Sequence, residues 1–178
     1  MMNRYYNFLD YSIEIINNPK LNIDRFSIEN LIEECTELSR HSFGSESISQ
    51  DIIRYHLLET STTILVRDRL DQVIGFGCCK ILKSDKIYII FMNCIVTSNQ
   101  HKKKGFHKIL MPLRIIEGVK QIKKIDPFVD DTHIFIGGRT QNPIAYRAAN
   151  QVMGLFPNPD GFIDTNIKAI GREFAKCI

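Results

Sequence analysis

The run His101-Lys102-Lys103-Lys104-Gly105-Phe106-His107-Lys108 is the part of this sequence best suited to chemistry. Four lysines and two histidines surround a single glycine where an apolar run, residues 87–96, gives way to a helical pattern. A helix N-terminus presents free backbone N–H groups and the positive end of the helix dipole, so it attracts anions. Gly105 would let the backbone come close to a phosphate, with Lys102, Lys103, Lys104 and Lys108 adding charge beside it. Neither GxxxxGK[ST] nor GxGxxG is present, which excludes the Walker and dinucleotide fingerprints. A solvated basic helix start fits the same residues. A nucleic-acid patch fits them less well, because few aromatics are interleaved.

These residues need elements to hold them. Residues 2–17 place Met2, Tyr5, Leu9, Ile13 and Ile16 at helical spacing, and Asn17-Asn18-Pro19 would end that helix. Ser27 is placed to cap a second helix, and Ser47 or Ser49 a third. Thr62–Val66 and Val73–Cys79 read as paired strands with Arg69–Gln72 as their turn. Residues 87–96 are apolar on both faces, as expected of a strand inside a covered sheet. A long helix is expected over about 105–124, kinked at Pro112. Thr132–Gly137 reads as a strand, Asn142-Pro143 opens a helix, and Phe162–Cys177 has helical spacing. The expected fold class is mixed α/β around a central sheet.

With 178 residues, the length suits one domain with its own core. The formal net charge of +3 is too small for nucleic-acid binding by the whole surface. Five cysteines, an odd number without a CxxC pair, argue against a disulfide framework and against zinc. They read as reduced thiols in a cytoplasmic protein. No apolar stretch is long enough to span a bilayer, and the first residues do not form a signal peptide.

The strand ending Cys94-Ile95-Val96, the following Lys102-Lys103-Lys104-Gly105-Phe106-His107 and the helix after it resemble the acetyl-CoA motif of the GCN5-related N-acetyltransferases. That motif is a strand, R/Q-x-x-G-x-G/A, then a helix. Lys102 stands where Arg or Gln is usual, and His107 where a small residue is usual. The resemblance covers roughly residues 62–154. It implies a single domain: a helical part over 1–60, an acyl-CoA-binding core over 62–154, and a C-terminal loop and helix over 155–178. It also implies a mostly antiparallel sheet with a splayed strand.

The function implied by the resemblance is transfer of an acetyl group from acetyl-CoA to an amine, by direct attack on the thioester. A non-catalytic acyl-CoA-binding module is the alternative. Ile95, Val96, Lys102–Lys104, Gly105, Phe106, His107, Lys108 and Asn142 would hold the co-substrate. Tyr146 would protonate the departing thiolate. The partners implied are acetyl-CoA and a small-molecule or protein amine, with no membrane or nucleic acid, and a homodimer is compatible. A lysine-type amine must lose a proton first, which costs about 4–5 kcal/mol at pH 7. The family often carries a glutamate on its central strand for that purpose. Here residues 87–96 hold no carboxylate, and Asn93 is their only strongly polar side chain. Cys94 needs no nucleophilic role in direct transfer and reads as core.

Overall fold

The structure is a computed structural model that describes residues 4–8, 10–85, 87–138 and 165–176. Its centre is a six-stranded sheet in the order β1-β2-β3-β4-β5-β6. The strands are β1 (Arg4–Phe8), β2 (Tyr11–Asn17), β3 (Thr62–Arg67), β4 (Val73–Ser84), β5 (Ile87–Thr97) and β6 (Ile134–Gly138). All neighbours pair antiparallel except β5 and β6, which run parallel. The helices are α1 (Pro19–Asn22), α2 (Arg25–Phe43), α3 (Gln50–Leu58), α4 (Phe106–Ile125) and α5 (Thr165–Lys176).

The first element corrects the sequence reading. Arg4–Phe8 and Tyr11–Asn17 are not helical but form two antiparallel strands of the sheet. Tyr11-Ser12-Ile13-Glu14-Ile15 alternates with period two, and β-branched residues fit a pleated surface. Ile13 and Ile15 pack with Ile64, Val66 and Ile74 of the sheet and with Phe106 and Leu110 of α4. That burial outweighs a helical spacing which any mixed run can contain by coincidence. The capping of α2 also differs. Asp24 rather than Ser27 starts the helix, its carboxylate accepting from the Ser27 N–H at 2.9 Å. Ser49 caps α3 as expected, accepting from the Ile52 N–H.

Two apolar layers sandwich the sheet. One joins α2 and α3 to it through Ile28, Leu31, Ile32, Cys35, Leu57 and Phe76. The other lies under α4. Pro112 is exposed, and α4 runs through it unbroken. Cys35, Cys78, Cys79 and Cys94 are free thiols. Burial raises the pKa values of Cys35 and Cys78 well above the usual thiol range and pushes Cys79 up to about 12, which makes these three core residues. Among the described residues, no helix is long and apolar enough to cross a membrane, and no group of side chains could hold a metal ion.

Candidate functional site

Strand β5 leads into the basic loop. It ends at Thr97, and a 3-10 turn over Asn99–Lys104 carries the chain to Gly105. Gly105 has φ +81°, the left-handed region that an L side chain adopts only with strain, and α4 begins at Phe106. Among the described residues, a Cβ placed on Gly105 would meet nothing within 4 Å. The backbone angle therefore selects glycine, and no described residue fills the space above it. The α4 N-terminus has no side-chain cap, and Lys108 N–H donates back to Gly105 O at 2.8 Å. The amides of Phe106 and His107 belong to the first turn, whose N–H groups have no partner within the helix.

The four lysines divide into two kinds. Lys102 donates to the Ser42 carbonyl at 2.9 Å, and Lys104 to the Tyr11 hydroxyl at 2.6 Å. These two anchor the loop to α2 and β2. Lys103 and Lys108 are exposed and have no partner among the described residues. Asn99 donates to the His41 carbonyl at 2.7 Å, and Ser98 bonds His101 Nδ1 at 2.6 Å. Phe106 is buried and meets the Tyr11 ring edge-on at 4.8 Å. Partial desolvation lowers the pKa of His101, with Lys104 adding to the effect against a small pull from Asp68. Desolvation, then the Arg114 charge, lowers that of His107. Both shifts favour the neutral ring.

The strand itself offers further groups. Up to Met92 it pairs with β6, ending at Met92–Gly138 among the described residues. On its other edge Cys94 faces Cys78, whereas Met92 faces Cys79, so Asn93 is the extra residue of a β-bulge. Beyond the bulge the backbone parity can be read. Ser98 N–H donates to Ile74 O on β4, so the even-numbered groups point toward β4. Ile95 and Thr97 then point away from it. Thr97 O accordingly accepts from Ser42 Oγ at 2.8 Å, off the ladder. The Ile95 amide thus faces away from β4 on a stretch that lies past the described β6 pairing. Val96 is buried with its side chain in the α2 layer, and Ile95 packs toward α4. Asn93 Oδ1 is buried without a hydrogen-bond partner among the described residues.

The structure thus brings Ile95, Val96, the loop lysines, Gly105, Phe106, His107 and Lys108 to one end of the sheet. Asn142 and Tyr146 lie outside the described residues. The sequence reading missed Arg114, which is 3% exposed beneath the bulge. Its signal was a charged residue in the otherwise buried i+4 series Phe106, Leu110, Arg114, Gly118, Ile122. Ser42 and Tyr11, which tie down the loop, carry no signal in the sequence because their contacts are 60 and 93 residues away.

No family model and no curated protein matches the chain. Solved structures do. An aminoglycoside acetyltransferase from an uncultured soil metagenomic sample, in complex with sisomicin, shares 11% identity at TM-score 0.53; the match covers 88% of this chain and 96% of that one. The aminoglycoside N-acetyltransferase AAC(6')-Iy in complex with CoA shares 12% identity at TM-score 0.53, covering 86% and 93%. The ribosomal-protein-alanine N-acetyltransferase from Brucella melitensis biovar Abortus 2308 shares 12% identity at TM-score 0.53, covering 86% and 99%. With a bulged β5 leading through Gly105 into α4, this chain has the fold of the GCN5-related N-acetyltransferases.

Proposed function

We propose that this protein is an acetyl-CoA-dependent N-acetyltransferase that passes the acetyl group directly to an amine. The observation that carries the reading is Gly105. Its left-handed turn opens α4 without a side-chain cap, beneath space that no described residue fills and beside Lys103 and Lys108. Such a turn suits a pyrophosphate: backbone N–H groups bind the oxygens and the helix dipole favours their charge. The pantetheine arm of acetyl-CoA would then run along β5 beside Ile95 and Val96, with Asn142, which the sequence places before Pro143, as a further contact. The Ile95 amide is the donor offered to the thioester oxygen as charge develops there. Tyr146 would hand its proton to the leaving sulfur, whose thiol pKa is about 8.5. The solved neighbours include an aminoglycoside acetyltransferase and a ribosomal-protein-alanine N-acetyltransferase. An amine acceptor of either size is within the proposal.

The test is calorimetric titration of the full chain with CoA and acetyl-CoA. Micromolar binding that weakens with Gly105→Val is expected; no heat and no thermal shift at millimolar ligand would overturn the assignment. A non-catalytic acyl-CoA-binding module is the second reading, favoured by the absence of any carboxylate on β5. CoA binding without thiol release across a broad panel of primary amines would select it.

A further inference from the structure

Arg114 is a buried cation, and the carboxylate one turn along α4 is already engaged: Glu117 is held by Arg4 and Lys120. Among the described residues no carboxylate stands at ion-pair distance from Arg114. Its guanidinium instead meets backbone oxygens. Nη1 donates to Cys94 O at 2.8 Å and to Cys78 O at 3.3 Å, and Nε to Leu110 O at 3.3 Å. Cys78 and Cys94 are the last register partners before the bulge at Asn93. One side chain therefore grips both strands where the ladder slips. The site is shaped for it. A Cβ on Gly77 would stand 3.2 Å from Arg114 Cδ and 3.3 Å from Nε, so glycine leaves the room in which the side chain lies.

The consequence runs through one peptide unit. Cys94 C=O and Ile95 N–H belong to the same planar trans amide, so they point in opposite directions. Fixing the carbonyl toward Arg114 fixes the amide hydrogen toward the edge of β5 that faces away from β4. A hydrogen bond from a charged, desolvated donor also withdraws density through the amide and strengthens its N–H as a donor. We infer that Arg114 is a positioning residue that orients and polarises the Cys94–Ile95 peptide, so that Ile95 N–H is a strong, preset donor for a thioester oxygen. The inference rests on the acetyl-CoA reading for the ligand, but its effect on the peptide exists without one.

Two measurements on the 178-residue chain test it. In the ligand-free protein, the Ile95 amide proton is observed by NMR in wild type, Arg114→Met and Arg114→Lys. With saturating [1-13C]acetyl-CoA, the thioester carbonyl stretch is read by isotope-edited infrared. In wild type the band should lie below that of free acetyl-CoA. In Arg114→Met about half or more of that displacement should vanish, and the Ile95 proton should move upfield. CoA affinity should stay within about threefold, because CoA lacks the carbonyl. Arg114→Lys keeps the charge without the fork and should fall between. A folded Met variant with the wild-type band and the wild-type Ile95 signal would overturn the inference, leaving Arg114 as packing only. If wild type binds no acetyl-CoA, the acetyl-CoA reading fails, and the Ile95 signal alone decides the role of Arg114. If the Met variant does not fold, Gly77→Ala serves instead: it displaces the intact guanidinium and should shift the same two signals.

Discussion

Gly118 and Ile90 meet where α4 crosses the central strand: a Cβ on Gly118 would stand 2.8 Å from Ile90 Cδ1 and 2.9 Å from Cγ2. Ile90 is fully buried and lies two residues before the end of the β5–β6 pairing. Gly118 therefore sets how closely the helix that follows the basic loop lies against the strand that precedes it. Gly118→Ala gains helix propensity but overpacks this contact. A net loss of about 1–3 kcal/mol is expected in denaturant unfolding. An unchanged or raised midpoint would show that the helix can step back freely.

Gly105 and Lys103 act through different physics. Gly105→Val imposes a β-branched residue at φ +81° and fills the space above the α4 N-terminus. CoA affinity should drop by about tenfold or more, since both the turn and the approach are lost. Lys103→Ala removes an exposed, screened charge and should cost no more than about fivefold. Calorimetry at two salt concentrations separates them, because only the lysine effect shrinks with salt. Equal losses would mean that the loop works by charge alone.

Acid should weaken the fold and tighten the ligand. His56, His101 and His107 all have pKa values lowered by desolvation in the folded protein. Below about pH 6.5 the unfolded chain takes up protons that the folded chain resists, so stability is full above that pH and is lost as pH falls through the folded values. The melting temperature should therefore decline between pH 7 and pH 5. For His101 and His107 a bound pyrophosphate has the opposite effect, raising their pKa values. CoA binding should then take up protons and strengthen on acidification. The dependence of calorimetric heat on buffer ionisation measures that uptake, and a flat response would remove both histidines from the phosphate site.

Asn93 holds a buried carbonyl oxygen with no donor among the described residues, at the bulge of a strand that carries no carboxylate. An incoming amine could donate to it, but an amide does not accept the proton. Activity should therefore rise with pH toward the pKa of the amine itself. Asn93→Asp should shift that acidic limb downward and raise kcat/KM at pH 7 by about tenfold or more for a lysine-type amine. A pH–rate profile that does not move would place the base elsewhere.

Tyr146→Phe keeps the ring and removes only a proton donor. If Tyr146 protonates the leaving thiolate, kcat should fall by about 10- to 1000-fold while CoA affinity holds. Stopped assays with 5-thio-2-nitrobenzoate release follow kcat directly. Full activity would leave that proton to water or to another side chain.

The sequence by itself determined the local signals. The apolar run over 87–96 reads as a covered strand because both faces are buried in the same stretch of residues. The glycine after three lysines reads as an anion turn because φ and helix start are properties of a few neighbouring residues. The tertiary structure decided whatever depends on distant partners. Tyr11–Asn17 became a strand because Ile13 and Ile15 could bury against Ile64 and Val66 of β3, some fifty residues on. Lys102 and Lys104 became anchors rather than free charges because Ser42 and Tyr11 lie within reach of them only in the fold. The same holds for Arg114. Its residue type and helical position are legible, but a guanidinium gripping Cys78 O and Cys94 O needs two strands brought side by side, the space left by Gly77, and a bulge at Asn93. Spacing along a chain records periodicity; it does not record which remote backbone carbonyl a long side chain will find once water has been removed.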